Sequence, residues 1–255
     1  MEMYDDLKHV KDTFNEDNLS EYLLQAQWAE FTELKKAMSE IYKRKRSNLT
    51  ILDIGVGDAR IPKHLSGIDE LWNVISRYDG IDVAQNCIDI SEKVAKDLNI
   101  GDKMNVKLLD AVNLTKLNKK YDIILSTWFT VGNFYPFSFD FKNFKHGDKL
   151  LKNDKFEKIF RQAYDMLNSK GEIIIGSMYI DNDETRKKQE AAYRHFGWTI
   201  TSDKTDCFTS SKEGWWSQRY TKKRIYDYLK FVPKNKISFI SLDTYDYAMM
   251  VRIKK

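Results

Sequence analysis

Apolar positions along the chain follow two rhythms that take turns. Short β-branched runs at Leu49–Ile54, at a segment ending in Tyr78–Asp82, and at Val106–Leu109, Tyr121–Leu125 and Glu172–Gly176 predict buried strands. Between them, Ile88–Leu98 and Lys155–Leu167 space their apolar residues for a helix. The second carries Phe156, Ile159, Phe160, Ala163 and Leu167 on one face, with Gly171 after it as a stop signal. A further helix is expected to begin near Asp58. Upstream, Leu24, Trp28, Phe31, Leu34, Met38 and Ile41 predict a long helix, capped by Asn18 or Ser20 and running to about Arg46. Downstream, Lys222–Phe231 predicts a helix, and Ile237–Leu242 and Tyr247–Ile253 read as an antiparallel hairpin at a sheet edge. Strands alternating with helices argue for an α/β, doubly wound, mostly parallel seven-stranded sheet with an antiparallel C-terminal hairpin. The organisation expected is an N-terminal helical extension over 1–47 and a main domain over 48–255, with an aromatic insert at about 133–150.

Open sheets of this kind bind ligands beyond the C-terminal ends of their strands, so the residues at those ends carry the chemistry. After the first strand come Gly55 and Gly57, where the missing Cβ lets backbone approach a ligand. Asp82 ends the second strand and Asp110 the third, and Ser126, Thr127 and Trp128 follow the fourth. A nicotinamide dinucleotide site would also place an acid after the second strand, but its turn reads GxGxxG. Here Ala59 stands at the third glycine and Asp53 precedes the turn.

Four stretches carry a family resemblance: Ile51-Leu52-Asp53-Ile54-Gly55-Val56-Gly57-Asp58-Ala59, Gly80-Ile81-Asp82-Val83-Ala84, Leu108-Leu109-Asp110-Ala111 and Tyr121-Asp122-Ile123-Ile124-Leu125-Ser126. From about Leu49 to Ile253 the chain resembles the class I methyltransferases that use S-adenosylmethionine (SAM). Met166-Leu167-Asn168-Ser169-Lys170-Gly171-Glu172 resembles the turn before that family's fifth strand, and the terminal hairpin its reversed last strand. The interval from Gly57 to Asp82 is longer than usual, which places an insertion near Ile68–Ile75. The resemblance implies SAM as methyl donor and S-adenosylhomocysteine (SAH) as product. Asp53, Gly55, Gly57, Asp82, Val83, Asp110, Ala111 and Ser126 are then the cofactor-binding set. Asp53 would order water or backbone around the methionine amino group, the glycine turn would meet the amino-acid end, Asp82 would accept the ribose hydroxyls, and Asp110 the adenine amino group. Asp110 also suits a helix cap.

Methyl transfer from a sulfonium needs orientation and desolvation more than a strong base. Thr127, Trp128 and Asn133 are the candidates for positioning an acceptor, with plain packing as the alternative. The six aromatics between Phe134 and Phe144 form either a strand over the core or a lid around an acceptor. Trp215, Trp216 and Arg219 either contact substrate or dock the next helix. His146 and His195 are possible bases. Asp181-Asn182-Asp183 is read as a helix cap rather than a metal site, and no metal is assigned. Three functions follow: methylation of nitrogen or oxygen in a small molecule, methylation of RNA of the mRNA cap guanine type, and a non-catalytic SAM-fold partner protein.

Composition narrows this modestly. The 255 residues are 42% hydrophobic and 31% charged, enough for one large domain with a substantial core. A net charge of +4 permits nucleic acid without demanding it. Lys43-Arg44-Lys45-Arg46 suits the negative end of a helix dipole or a phosphate. Cys87 and Cys207 show no metal-ligand spacing and predict reduced thiols. Met1–Phe14 has no signal-peptide core, and no apolar run approaches the roughly 20 residues that cross a bilayer. These features predict a cytoplasmic protein without membrane spans and leave the oligomeric state open.

Overall fold

The computed structural model describes residues 19–141 and 152–255. Asn18, Phe144 and His146, all named above, lie outside them. Helix α1 (Glu21–Lys45) leads into β1 (Leu49–Ile54), followed by α2 (Arg60–Ser66), α3 (Asp69–Trp72) and β2 (Ile75–Asp82). Next come α4 (Gln85–Asp97), β3 (Met104–Leu108), a 3-10 segment (Ala111–Leu117) and β4 (Tyr121–Ser126). A 3-10 turn at Thr130–Asn133 precedes α5 (Asp154–Met166), β5 (Leu167–Tyr179) and α6 (Asp183–His195). The chain closes with β6 (Phe208–Ser210), β7 (Trp216–Gln218), α7 (Lys222–Tyr228), β8 (Ile237–Ser241) and β9 (Ala248–Lys254).

One seven-stranded sheet runs in the order β3-β2-β1-β4-β5-β9-β8, and β6-β7 pair separately. The first five strands are parallel, while β9 runs antiparallel to both β5 and β8. The expected doubly wound sheet with its reversed hairpin is present. The strand period of two splits the core: Ile51, Ile123, Leu125 and Ile174 face α1, whereas Leu52, Ile54, Ile124, Ile173 and Ile175 face α5 and α7. The interval expected to hold an insertion forms α3 and the start of β2.

Several boundaries differ from the sequence reading for identifiable reasons. Gly171 does not end a helix. Helix α5 stops at Met166, and Gly171 lies within β5, where a Cβ would sit 2.8 Å from the Asp122 carbonyl oxygen. Its smallness serves strand approach rather than a left-handed cap. Trp28 is not on the buried face of α1 and is 63% exposed; the buried stripe is Gln27, Glu30, Phe31, Leu34, Ala37, Met38 and Ile41.

The basic end of α1 is bound rather than solvated. Arg44 Nη2 donates to Glu172 Oε1 at 2.8 Å, and Lys45 Nζ lies 2.7 Å from Asp122 Oδ1. Arg252 Nε also donates to Glu172, at 2.9 Å. These acids stand near the N-terminal starts of β4 and β5, so the cluster pins α1 to the end of the sheet away from the crevice. Burial alone would raise the Asp122 carboxyl, but Lys45 and its other donors hold it below the ordinary carboxylate range.

Glu172 is fully buried. Glu172→Ala therefore leaves Arg252 buried with half its partners and is expected to destabilise the protein by about 3 kcal/mol in urea unfolding.

Candidate functional site

The C-terminal strand ends enclose a cleft of about 1000 Å³, counting its open mouth. One wall is the glycine turn. Gly55 and Gly57 have φ of +79° and +57°, and Ala59 also sits in the left-handed region at φ 60° while fully buried. A Cβ on Gly55 would lie 2.4 Å from Thr130 Cγ2. The turn after β4 thus packs into the space that the absent side chain leaves. Asp82, at the end of β2, ties two turns together: Gly57 N donates to Oδ2 at 3.1 Å and Ala84 N to Oδ1 at 3.0 Å. Asp110 lines the cleft and also caps the following 3-10 segment, accepting from Val112 N at 3.0 Å.

The opposite wall is Thr127, Trp128, Thr130, Asn133, Phe134 and Tyr135, with Arg60 and Lys155 beside it. Of the predicted residues, Gly55, Gly57, Asp82, Val83, Asp110, Ala111, Thr127, Trp128 and Asn133 all line this one cleft. Two do not. Ser126 is buried in β4 and donates to the Ile54 carbonyl at 3.2 Å, so its hydroxyl bridges strands. Asp53 lies beneath the floor, on the α1 side of β1, and accepts from the Tyr78 hydroxyl at 2.6 Å. Its Oδ1 is buried without a hydrogen-bond partner. Desolvation lifts its carboxyl to about 7 against the pull of Tyr78 and Arg60.

Of the two readings of the aromatic insert, the strand is not formed at Phe137–Phe141. Phe134 and Tyr135 line the cleft, Phe137 is 53% exposed, and Phe139 packs edge-on against Trp216 with centroids 4.5 Å apart. Trp215 and Trp216 are buried away from the cleft, stacked on Trp198 at 3.8 Å and Phe208 at 4.1 Å. Arg219 is buried with Gln189, Thr209 and Asp181 as partners. These residues build the small β6-β7 layer rather than touch the cleft. Asn182 caps α6 by accepting from Thr185 N at 2.8 Å, and Asp181 pairs with Arg224 at 2.9 Å. His195 is exposed at the end of α6 and outside the cleft lining.

Three contributors were not singled out from the sequence. Glu30 reaches in from α1. Arg60 lines the cleft with its guanidinium 4.3 Å from the Trp128 ring centroid. Asn153 is fully buried, caps α5 through Phe156 N at 2.9 Å, and donates to the Phe134 carbonyl and to Gln218 Oε1. The one available signal was Glu30 itself, an acid on an otherwise apolar helix stripe.

No protein-family model matches this chain, and no curated protein sequence matches it. Solved structures do. An S-adenosylmethionine-dependent methyltransferase from Clostridium acetobutylicum superposes with a TM-score of 0.56 at 13% identity, over 99% of each chain. Magnesium protoporphyrin IX methyltransferase from Synechocystis PCC 6803, with bound SAH, gives 0.56 at 12% identity, over 96% of this chain and 91% of that one. The N-methyltransferase NodS from Bradyrhizobium japonicum WM9, in complex with SAH, gives 0.50 at 12% identity, over 96% and 95%. The chain has the class I SAM-dependent methyltransferase fold. At these identities the similarity establishes architecture, and the site's chemistry rests on its own residues. Among the described residues, no helix is long and apolar enough to cross a membrane.

Two outcomes follow from this geometry. Gly55→Ala forces a side chain into the left-handed region and onto Thr130, and is expected to cost more than about 2 kcal/mol in denaturant unfolding. Asp53 binds its proton more tightly folded than unfolded, so its contribution to stability is complete below about pH 4 and declines as pH rises to about 7. Asp53→Asn should remove that decline. The stability of the variant relative to wild type, measured by urea unfolding, should therefore rise across this window and level off above it.

Proposed function

We propose that this chain is an enzyme that transfers a methyl group from SAM to a nitrogen or oxygen of a small-molecule acceptor. The supporting observation is convergence: the glycine turn, Asp82 with Val83, and Asp110 with Ala111 share one cleft with the aromatic and polar wall after β4. The residues fit the cofactor's parts. The glycine turn brings backbone at Gly55 and Gly57 to the cleft for the methionine end, Asp82 suits paired ribose hydroxyls, and Val83 and Ala111 offer apolar contact beside Asp110 for the adenine. Bound there, SAM supplies a methyl group already activated on a sulfonium.

The chain's own work is then to orient and to dry the acceptor. Thr127 and Asn133 carry polar groups at the cleft, while Trp128, Phe134 and Tyr135 limit water. An RNA acceptor would draw on the basic positions Lys43–Arg46 and Lys222–Arg224. Arg44 and Lys45 are paired at the far end of the sheet, and Arg224 is paired with Asp181. The enclosed aromatic wall favours the small molecule.

The test is calorimetric titration with SAH, together with methyl-labelled SAM in a cell extract resolved into small-molecule, RNA and protein fractions. Wild type should bind SAH and label the small-molecule fraction. Asp82→Ala should weaken SAH binding about 100-fold, the equivalent of two hydrogen bonds to a charged acceptor. Label confined to RNA would replace this reading with the RNA one, and SAH binding without any label would favour the non-catalytic partner.

A further inference from the structure

We propose that Glu30, on helix α1, is a positioning residue of this cleft, acting through Trp128 and Arg60; the inference rests on the methyltransferase reading above. Glu30 is fully buried on the face of α1 that crosses the sheet. Its carboxylate fills a notch in β5: a Cβ on Gly176 would lie 2.4 Å from Glu30 Oε2. From there Oε2 accepts from the backbone N–H of Trp128 at 3.1 Å, and Oε1 accepts from Arg60 Nη2 at 2.8 Å. One carboxylate thus holds a backbone group of the turn after β4 and a side chain of α2.

Both groups need holding. Trp128 and Phe129 are consecutive non-glycine residues with φ of 50° and 62°. Each such residue costs about 1–2 kcal/mol and persists only where its surroundings fix it. An acceptor aimed at the Trp128 N–H is one such fixture. The turn it stabilises continues into Thr130, whose hydroxyl donates to the Thr127 carbonyl at 2.7 Å and whose methyl packs where Gly55 has no side chain. The contact passes from Glu30 to the glycine turn through three residues.

Arg60 is fixed by the same anion. Its guanidinium lies between Phe31, at 5.2 Å, and Trp128, at 4.3 Å, and Glu30 is the carboxylate it pairs with among the described residues. A buried ion pair gives little net stability over apolar residues of equal volume. Its consequence here is geometric: without Glu30 the cation has reason to leave the Trp128 face for solvent through the cleft. Helix α1, which the sequence reading placed in an N-terminal extension, therefore supplies part of the cleft's framework.

The experiment compares wild type, Glu30→Gln, Glu30→Asp and Glu172→Gln by SAH calorimetry, thermal melting and amide spectra of protein labelled with 15N-tryptophan. Glu172 is the control, being equally buried and ion-paired but at the opposite end of the sheet. Glu30→Gln should weaken SAH binding at least about tenfold and shift the Trp128 amide resonance. Glu172→Gln should lower the melting temperature while binding SAH as wild type does. Glu30→Asp retains the buried charge but shortens its reach, so it remains informative if Glu30→Gln does not fold; it too should weaken binding and move the Trp128 amide. Wild-type SAH affinity in a folded Glu30 variant would overturn the proposal, as would an equal loss of affinity in Glu172→Gln. A wild-type protein that binds no SAH would overturn the methyltransferase reading and this proposal with it, a pattern distinct from both.

Discussion

Glu30 and Glu172 are fully buried, and together they fix how α1 lies across the sheet. A carboxylate withdrawn from water must be met by donors or it will take up a proton. Glu172 is met by Arg44 near the end of α1 and by Arg252 from β9. Glu30, four turns earlier, is met by Arg60 and by the Trp128 N–H. The helix is therefore anchored electrostatically at both ends of the strands, while Phe31, Leu34, Met38 and Ile41 between them provide the apolar contact. Register along α1 is set by the two anchors, since apolar packing alone is non-directional.

The same desolvation accounts for the behaviour of Asp53. It shares the α1 face of the sheet with Glu30 and Arg60, and it has one donor, Tyr78, where Glu30 has two. Desolvation raises its carboxyl to about 7. The Arg60 guanidinium serves Glu30 directly and Asp53 only through its field.

Much of the fold was legible because it is written locally. Short apolar runs, the glycine turn and the acids at strand ends are properties of adjacent residues, and the parallel strands and the cleft residues appeared close to where they were expected. Gly55 and Asp82 could be assigned to the cleft because strand ends in such a sheet share one side. What escaped depends on contacts across space. Gly176 reads as an ordinary strand residue until Glu30 is seen to occupy its missing side chain, and nothing adjacent to Asn153 announces the contacts of its amide with Phe134 and Gln218. Trp215 and Trp216 stayed open between two readings for the converse reason. Adjacent tryptophans beside an arginine suit ligand stacking, but a three-residue hairpin needs its own core, and they supply it. Ser126 and Asp53 lie one layer below the lining, since residues before a crevice alternate between its surface and the strands below.

The cleft also bears on which acceptor atom it suits. Displacement from a sulfonium moves one positive charge across the forming bond, so an amine acceptor becomes cationic where a hydroxyl must shed a proton. The Trp128 and Tyr135 rings already hold cations of the chain itself, Arg60 at 4.3 Å and Lys155 at 4.9 Å from their centroids. For a hydroxyl, a base is required within the lining. No histidine lines the cleft among the described residues, and Asp58 is the acid whose carboxyl burial raises there. Asp58 stands on the glycine turn, with its Oδ1 already accepting from Arg60 N at 3.2 Å. Asp58, like Asp82, therefore ties the glycine turn to its neighbours.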